Sequence, residues 1–187
     1  MATVRADKHA NDLRAVALGP EPLVPGARFV DFELADHSGN ERRLSELVGG
    51  DPAVLQFYRG WWCPKEQAFF RRLVRLQDEA EVAYSRFLSV SVDPSEVSAA
   101  FRAGAGARWT FLSDPERVVQ RRLGLRETTD RLHDPYVPAV FVLRPDLTIH
   151  SAYNGYWFWS RPTEGELIAD LRAITREIRP DWEAPTS

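Results

Sequence analysis

Hydrophobic and polar residues follow two different periods along this chain. Two continuous apolar runs, residues 53–58 and 87–92, are short and bounded by turn residues, which predicts two buried strands. Between them, from residue 64 to about residue 86, apolar side chains recur at helical spacing with charged side chains on the other face. The pattern therefore predicts a strand, a long helix and a second strand in succession.

Further elements precede and follow this unit. Residues 29–34 alternate apolar and polar side chains before turn residues at 36–40, which predicts a hairpin with a return strand at 42–44. The later pattern predicts a helix at residues 95–103, a strand at 109–112 and a second helix at 113–123. A hairpin of two strands at 137–143 and 148–153 follows, and a terminal helix at 162–178. This order predicts α/β layers in one domain.

Composition and charge narrow the class of protein. With 187 residues and 44% hydrophobic content, the chain can form one sizeable core, expected over residues 26–180 between an N-terminal arm at 1–25 and a flexible tail at 181–187. A net charge of −3 gives no electrostatic reason to expect nucleic acid or a membrane surface as a partner. The sequence has neither a transmembrane-length apolar run nor a recognisable secretory signal, so a cytoplasmic location is expected.

The one cysteine of the sequence lies where the first buried strand meets the long helix. Pro64 suits the first helical position, because its missing N–H would have no intrahelical partner there, and this places Cys63 at the N-cap. A thiol at that position faces backbone N–H groups and the positive end of the helix dipole, which favour the thiolate. Cys63 is therefore the candidate catalytic residue, and the alternative is a buried small hydrophobic side chain.

Three segments resemble one family, the peroxiredoxin-like redoxins of the alkyl hydroperoxide reductase and thiol-specific antioxidant superfamily. Residues 57–64, FYRGWWCP, resemble its F-Y-R-G-x-W-C-P segment, residues 137–143, VPAVFVL, resemble its V-P-A-T-F-V-I strand, and residues 29–47 resemble its N-terminal hairpin. The resemblance implies a thioredoxin-like fold, with a central mixed sheet, flanking helices and an added N-terminal β-hairpin. It also implies a cis-proline at Pro138, facing the thiol.

The same resemblance implies an activity. Cys63 would reduce a hydroperoxide or another small-molecule substrate, and an external thiol or a thioredoxin-type protein would regenerate it, as in an antioxidant peroxidase. No cofactor is expected, and the scattered histidines do not have the spacing of metal ligands. The residues expected to bind the substrate are Arg59, Gly60, Trp62 and Pro138. A homodimer is left open.

The sequence departs from the family pattern at positions that handle peroxide. Glu66 stands where many members have a second cysteine, which excludes an internal dithiol cycle. Gly60 replaces the usual threonine, Gln56 replaces the usual proline, and the usual arginine aligns with Pro138. Arg59 is therefore the nearest candidate to supply the positive charge.

Several neighbours of Cys63 have two interpretations. Glu66 suits the third helical position as a capping-box carboxylate, with proton transfer as the alternative. Trp61 and Trp62 either wall an apolar pocket or pack beneath the turn. The aromatic segment 153–161 marks a pocket, a protein contact or a satellite core under the terminal helix.

Two other functions remain open at this stage. The first is a non-peroxidase thioredoxin-fold protein, such as a thiol reductase or a biosynthetic catalyst, acting on an apolar ligand between Trp62 and Trp157. The missing threonine and arginine favour it. The second is a redox-inert binding module.

Overall fold

Seven strands lie side by side in one mixed sheet in the computed structural model, which describes residues 23–154 and 160–181. In chain order the elements of this part of the chain are β1 (Glu33–Asp36), β2 (Glu41–Arg43), α1 (Leu44–Val48), β3 (Ala53–Phe57), α2 (Pro64–Val82), β4 (Arg86–Ser91), α3 (Ser95–Ala105), β5 (Thr110–Ser113), α4 (Val118–Leu123), β6 (Ala139–Leu143), β7 (Ile149–Asn154) and α5 (Glu164–Ile178). The strand order is β2-β1-β5-β4-β3-β6-β7. At the centre, β3 pairs parallel with β4 and antiparallel with β6.

The helices cover both faces of the sheet, and alternate residues of β3 point to opposite layers. Leu55 and Phe57 pack in a cluster with residues of α1, α4 and the segment before β1. Val54 packs on the other face, in a cluster with residues of α2 and α5. Because both faces are covered, β3 and β6 are buried along their whole length, which explains their continuous apolar sequence.

The observed order of elements confirms the predicted α/β architecture, but two boundaries were wrong. The first strand begins at Glu33, because the residues before it turn their aromatic side chains, Phe29 and Phe32, into the core. The helix predicted at residues 113–123 begins only at Val118. The Asp114 carboxylate accepts the Val118 N–H at 2.8 Å, and Arg117, in the left-handed region at φ 56°, lies outside the helix.

The topology brings three loops to one edge of the sheet. The last residue of β3, Phe57, pairs with Val90 of parallel β4 and with Ala139 at the start of antiparallel β6. The segment leading to Cys63, the turn after β4 and the chain before β6 therefore meet at the carboxyl end of β3, where open α/β sheets commonly bind ligands.

Part of the chain lies outside the described residues. That part comprises residues 1–22 of the predicted arm, residues 182–187 of the predicted tail and the aromatic residues 155–159, including Trp157. Within the described ranges, no helix has both the length and the apolar character needed to cross a membrane.

Candidate functional site

A tight turn carries the chain from β3 to the cysteine. The Cys63 N–H closes this turn by donating to the Gly60 carbonyl at 3.2 Å. Gly60 has φ 142°, a conformation that residues with a side chain rarely adopt. A Cβ at this position would lie 2.6 Å from Nε1 of Trp62. The turn therefore has no room for a threonine side chain at position 60.

Cys63 occupies the N-cap of α2, as the sequence predicts. Its backbone is extended (φ −83°, ψ 116°), Pro64 is the first helical residue, and 2% of Cys63 is exposed. Within the described residues, no side chain caps this helix end at Cys63. The sulfur therefore belongs to a residue that is almost closed off from solvent, at the positive end of a 19-residue helix.

The first turn of α2 carries a buried ion pair that the sequence analysis missed. Glu66 is 1% exposed, and its carboxylate accepts a hydrogen bond from the guanidinium of Arg161. Burial raises the pKa of Glu66, and the cationic Arg161 opposes that rise. Because Glu66 lies three residues beyond Cys63, this pair brings a guanidinium to the helix end that carries the thiol.

The capping-box prediction for Glu66 is wrong. The Cys63 N–H donates to Gly60 and not to the carboxylate, which is turned inward toward Arg161. Arg161 is positioned from the other side by the start of α5. There Thr163 and Glu166 form a true capping box, in which the Thr163 N–H donates to Glu166 at 2.7 Å.

Arg59, the predicted source of positive charge, lies in a charged cluster with residues of the loop before β6. Its guanidinium pairs with Glu127 at 3.3 Å and with Asp130 at 2.9 Å, and lies 4.9 Å from the ring centroid of Trp62. The other partner of Trp62 is His133, whose ring stacks on the indole at 3.9 Å. Two carboxylates therefore balance the charge of Arg59, and Trp62 packs between the Arg59 guanidinium and the His133 ring.

The other tryptophan of the turn lines a cavity. Trp61 is 51% exposed, and with Phe70 of α2 and Val97 and Phe101 of α3 it borders a cavity of about 830 Å³ between those helices. Arg71 also lines this cavity. Trp61 therefore lines an apolar cavity, whereas Trp62 packs against the turn.

The cis bond that the family resemblance implies at Pro138 is not found, since the described residues contain no cis peptide bond. Pro138 is buried directly before β6, and the preceding Val137 N–H donates to the carbonyl of Leu125 at 2.7 Å. This hydrogen bond joins the entry into β6 to the loop before it, and the Val137–Pro138 peptide bond is trans. The structure places Pro138 at the sheet edge that holds the cysteine turn, because the next residue, Ala139, pairs with Phe57.

Comparison with known proteins gives consistent matches. The model of the AhpC/TSA family matches residues 25–152. Two curated proteins named as peroxiredoxins, from two strains of Mycobacterium tuberculosis, are each 31% identical over 152 residues, 80% of this chain and 96% of theirs. Peroxidoxin BcpB of M. tuberculosis has a similar structure, with a TM-score of 0.71 and 26% identity over 81% of this chain and 97% of that one. AhpC of Enterococcus faecalis shares the fold, with a TM-score of 0.68 and 21% identity over 87% and 99% of the two chains.

The turn geometry predicts that Gly60→Ala destabilises the protein. The new Cβ meets the Trp62 indole and forces a disfavoured backbone, so we expect the free energy of unfolding in urea to fall by about 1–3 kcal/mol. Gly104→Ala is the matched control, because Gly104 lies inside α3 and a Cβ there meets no atom within 4 Å. It should leave stability unchanged or raise it by about 0.5–1 kcal/mol. Equal stabilities of the two variants would contradict this account of the turn.

The buried ion pair predicts a pH-dependent effect of Arg161→Met. Without the guanidinium, the buried Glu66 carboxylate is uncompensated, and we expect a loss of about 3–5 kcal/mol near neutral pH. Burial then raises the pKa of Glu66 against only the backbone N–H and the charge of Arg59, so the protonated, folded form is favoured at low pH. The loss should therefore grow as pH rises from about 5 to about 8 in chemical denaturation.

The control for this prediction is the double variant Arg161→Met with Glu66→Gln. It removes the carboxylate, so it should recover much of the stability and show no such pH dependence. A single variant whose loss of stability is the same across that pH range would contradict the role given to Glu66.

Proposed function

The chain belongs to the AhpC/TSA family and is a thiol-dependent peroxidase, and from that premise we propose that Cys63 is the residue that reduces the peroxide. The observation that carries the proposal is the placement of the only cysteine in the sequence at the N-cap of α2, one helical turn from the Arg161–Glu66 pair. A redox-inert role or a non-peroxidase chemistry does not account for this arrangement as directly.

The proposed first step is attack by the Cys63 thiolate on one oxygen of a hydroperoxide. The S–O bond forms as the O–O bond breaks, and the departing alkoxide or hydroxide takes up a proton to become an alcohol or water. Cys63 is thereby oxidised to the sulfenic acid and the peroxide is reduced. The positive end of the α2 dipole and the Arg161 guanidinium supply positive charge at the end of the helix where this step takes place.

The proposed second step requires thiols from outside the 187 residues, since these contain one cysteine. An external thiol attacks the sulfur of the sulfenic acid, releasing water and forming a mixed disulfide. A second thiol then attacks the external sulfur, which restores Cys63 and releases the disulfide of the two external thiols. We propose a small-molecule thiol or a thioredoxin-type protein as the reductant.

The residues around the thiol have distinct proposed roles. Arg161 supplies positive charge near the sulfur, and the Glu66 carboxylate holds its guanidinium in place. Gly60 lets the backbone make the turn that presents Cys63. Trp62 lies between Arg59 and His133 and packs against the turn. Pro138 lies at the same edge of the sheet. In this proposal Arg161 supplies the positive charge of the arginine that the sequence lacks at its usual position.

The substitution Cys63→Ser tests the proposed function. We expect the wild type to consume hydrogen peroxide and organic hydroperoxides catalytically with dithiothreitol as reductant, and the variant to lose that activity entirely because a hydroxyl is not oxidised in this way. Peroxide loss is followed colorimetrically, and circular dichroism checks that the variant folds. Equal rates for the two folded proteins would exclude Cys63 as the reacting group.

The cavity beside Trp61 supports an organic hydroperoxide with an apolar body as a substrate. The side chains that line it are mainly hydrophobic, and one of them is Trp61, two positions before Cys63. Its volume of about 830 Å³ lies within the range of small-molecule sites, roughly 300–1,000 Å³. The apolar part of a substrate could therefore lie between α2 and α3 while its peroxide group approaches the turn.

Trp61→Ala tests this substrate assignment. Removing the indole takes away apolar contact area, so we expect the KM for cumene hydroperoxide to rise about tenfold. Reduction of hydrogen peroxide, which has no apolar body, should change little. Val82→Ala is the control for loss of an exposed apolar side chain, because Val82 is 82% exposed and does not line this cavity. Equal effects of Trp61→Ala on both peroxides would contradict the assignment.

A further inference from the structure

Asp93 lies directly beneath the cysteine turn, although it comes from a different strand. It follows β4 by two residues and is 8% exposed. Its Oδ2 atom accepts the backbone N–H of Trp61 at 3.1 Å, and its Oδ1 atom lies 3.3 Å from the position that a Cβ of Gly60 would occupy. One carboxyl group therefore holds Trp61 by a hydrogen bond and lies beside Gly60, the first residue of the turn that ends at Cys63.

A short loop of hydrogen bonds fixes the orientation of this carboxyl group. The Ser91 hydroxyl donates to Asp93 Oδ2 at 3.2 Å, and the Asp93 N–H donates to the same hydroxyl oxygen at 3.2 Å. Within the described residues Asp93 forms no ion pair, so neutral donors hold it. A buried carboxyl group without a salt bridge is unfavourable for folding, and such features are expected mainly where they serve a function.

We propose that Asp93 is a positioning residue for the peroxidase reaction, holding the turn from Gly60 to Cys63 by accepting the Trp61 N–H. The inference rests on the proposed function of Cys63 and goes beyond it. Asp93 holds the backbone of Trp61 by a hydrogen bond, and Trp61 directly follows Gly60. The carbonyl of Gly60 accepts the Cys63 N–H, so the effect of Asp93 reaches the backbone of Cys63. The hydrogen bond to Asp93 also fixes the backbone of Trp61, which walls the cavity. Asp93 thus aligns the thiol with the substrate pocket.

The protonation state of Asp93 should affect this hydrogen bond. Burial raises the pKa of Asp93, while the Trp61 N–H, the Ser91 hydroxyl and the charge of His133 oppose that rise. Among the described residues, the buried phenol of Tyr58 also interacts with Asp93. The carboxylate therefore takes up a proton at a higher pH than an exposed aspartate does, and the charge-assisted bond to Trp61 is present above that pH and weakened below it.

The kinetic test compares three variants. Asp93→Ala removes the acceptor, and we expect the rate constant for Cys63 oxidation by hydrogen peroxide to fall about 100-fold, because small misplacements of a reacting group cost rates of this order. Asp93→Asn keeps an acceptor oxygen and should stay within about tenfold of the wild type. Asp114→Asn is the matched control, since Asp114 is also buried but its carboxylate accepts from Gln120 and Tyr136, neither of which belongs to the turn. It should leave the rate unchanged.

A second readout does not depend on activity. The protein is labelled with 15N-tryptophan, and the backbone amide signal of Trp61 is assigned by its loss in Trp61→Phe. In the wild type this signal should shift with pH, with a midpoint above the ordinary aspartate value of about 3.9. In Asp93→Asn the signal should not titrate. If Asp93→Ala fails to fold, this comparison still tests whether Asp93 holds the Trp61 N–H.

Three results would overturn the inference. The first is a folded Asp93→Ala variant that reacts within about threefold of the wild type, a difference too small for a misplaced thiol. The second is an equal fall in Asp93→Ala and Asp93→Asn, which would assign the effect to the lost charge. The third is a Trp61 amide that does not respond to pH. A wild type that forms no sulfenic acid would instead refute the proposed function, and the Trp61 titration would still test the hydrogen bond.

Discussion

The structure of the site depends on one sharp turn between a buried strand and a long helix. The chain leaves β3 and must reverse direction within a few residues. Gly60 takes up the positive φ of this turn, and its lack of a Cβ lets the Trp62 indole and the Asp93 carboxyl group pack against the backbone there. The same turn places Cys63 at the N-cap, and Pro64 begins the helix at once. The position of the thiol is therefore a consequence of backbone geometry.

Charge around the turn is arranged in buried or partly buried pairs. Arg161 is matched by Glu66, and Arg59 by Glu127 and Asp130. The two arginines differ in their relation to the thiol helix. Arg161 contacts the first turn of α2, whereas Arg59 is held by the loop before β6. For this reason we propose Arg161, rather than Arg59, as the cation that acts on the sulfur.

The sequence predicted the fold and the position of Cys63 well, because both follow from local patterns. A continuous apolar run identifies β3, and a proline after the cysteine identifies the helix start. Arg161 and Asp93 were not predicted. Each reaches the turn from a distant part of the chain, and neither belongs to a spacing pattern that marks its partner. The first strand was placed too early because Phe29 and Phe32 face the core from an irregular segment that mimics strand alternation.

The central claim is that the fold activates the only cysteine of this sequence toward peroxide. The most direct measurement is rapid-quench mass spectrometry of the intact protein after a brief hydrogen peroxide challenge, performed on folded protein and on protein unfolded in urea at the same pH. The account predicts that folded protein gains one oxygen atom on Cys63 far faster than unfolded protein, and that added thiol removes it. Equal or slower oxidation of Cys63 in the folded protein would contradict the account.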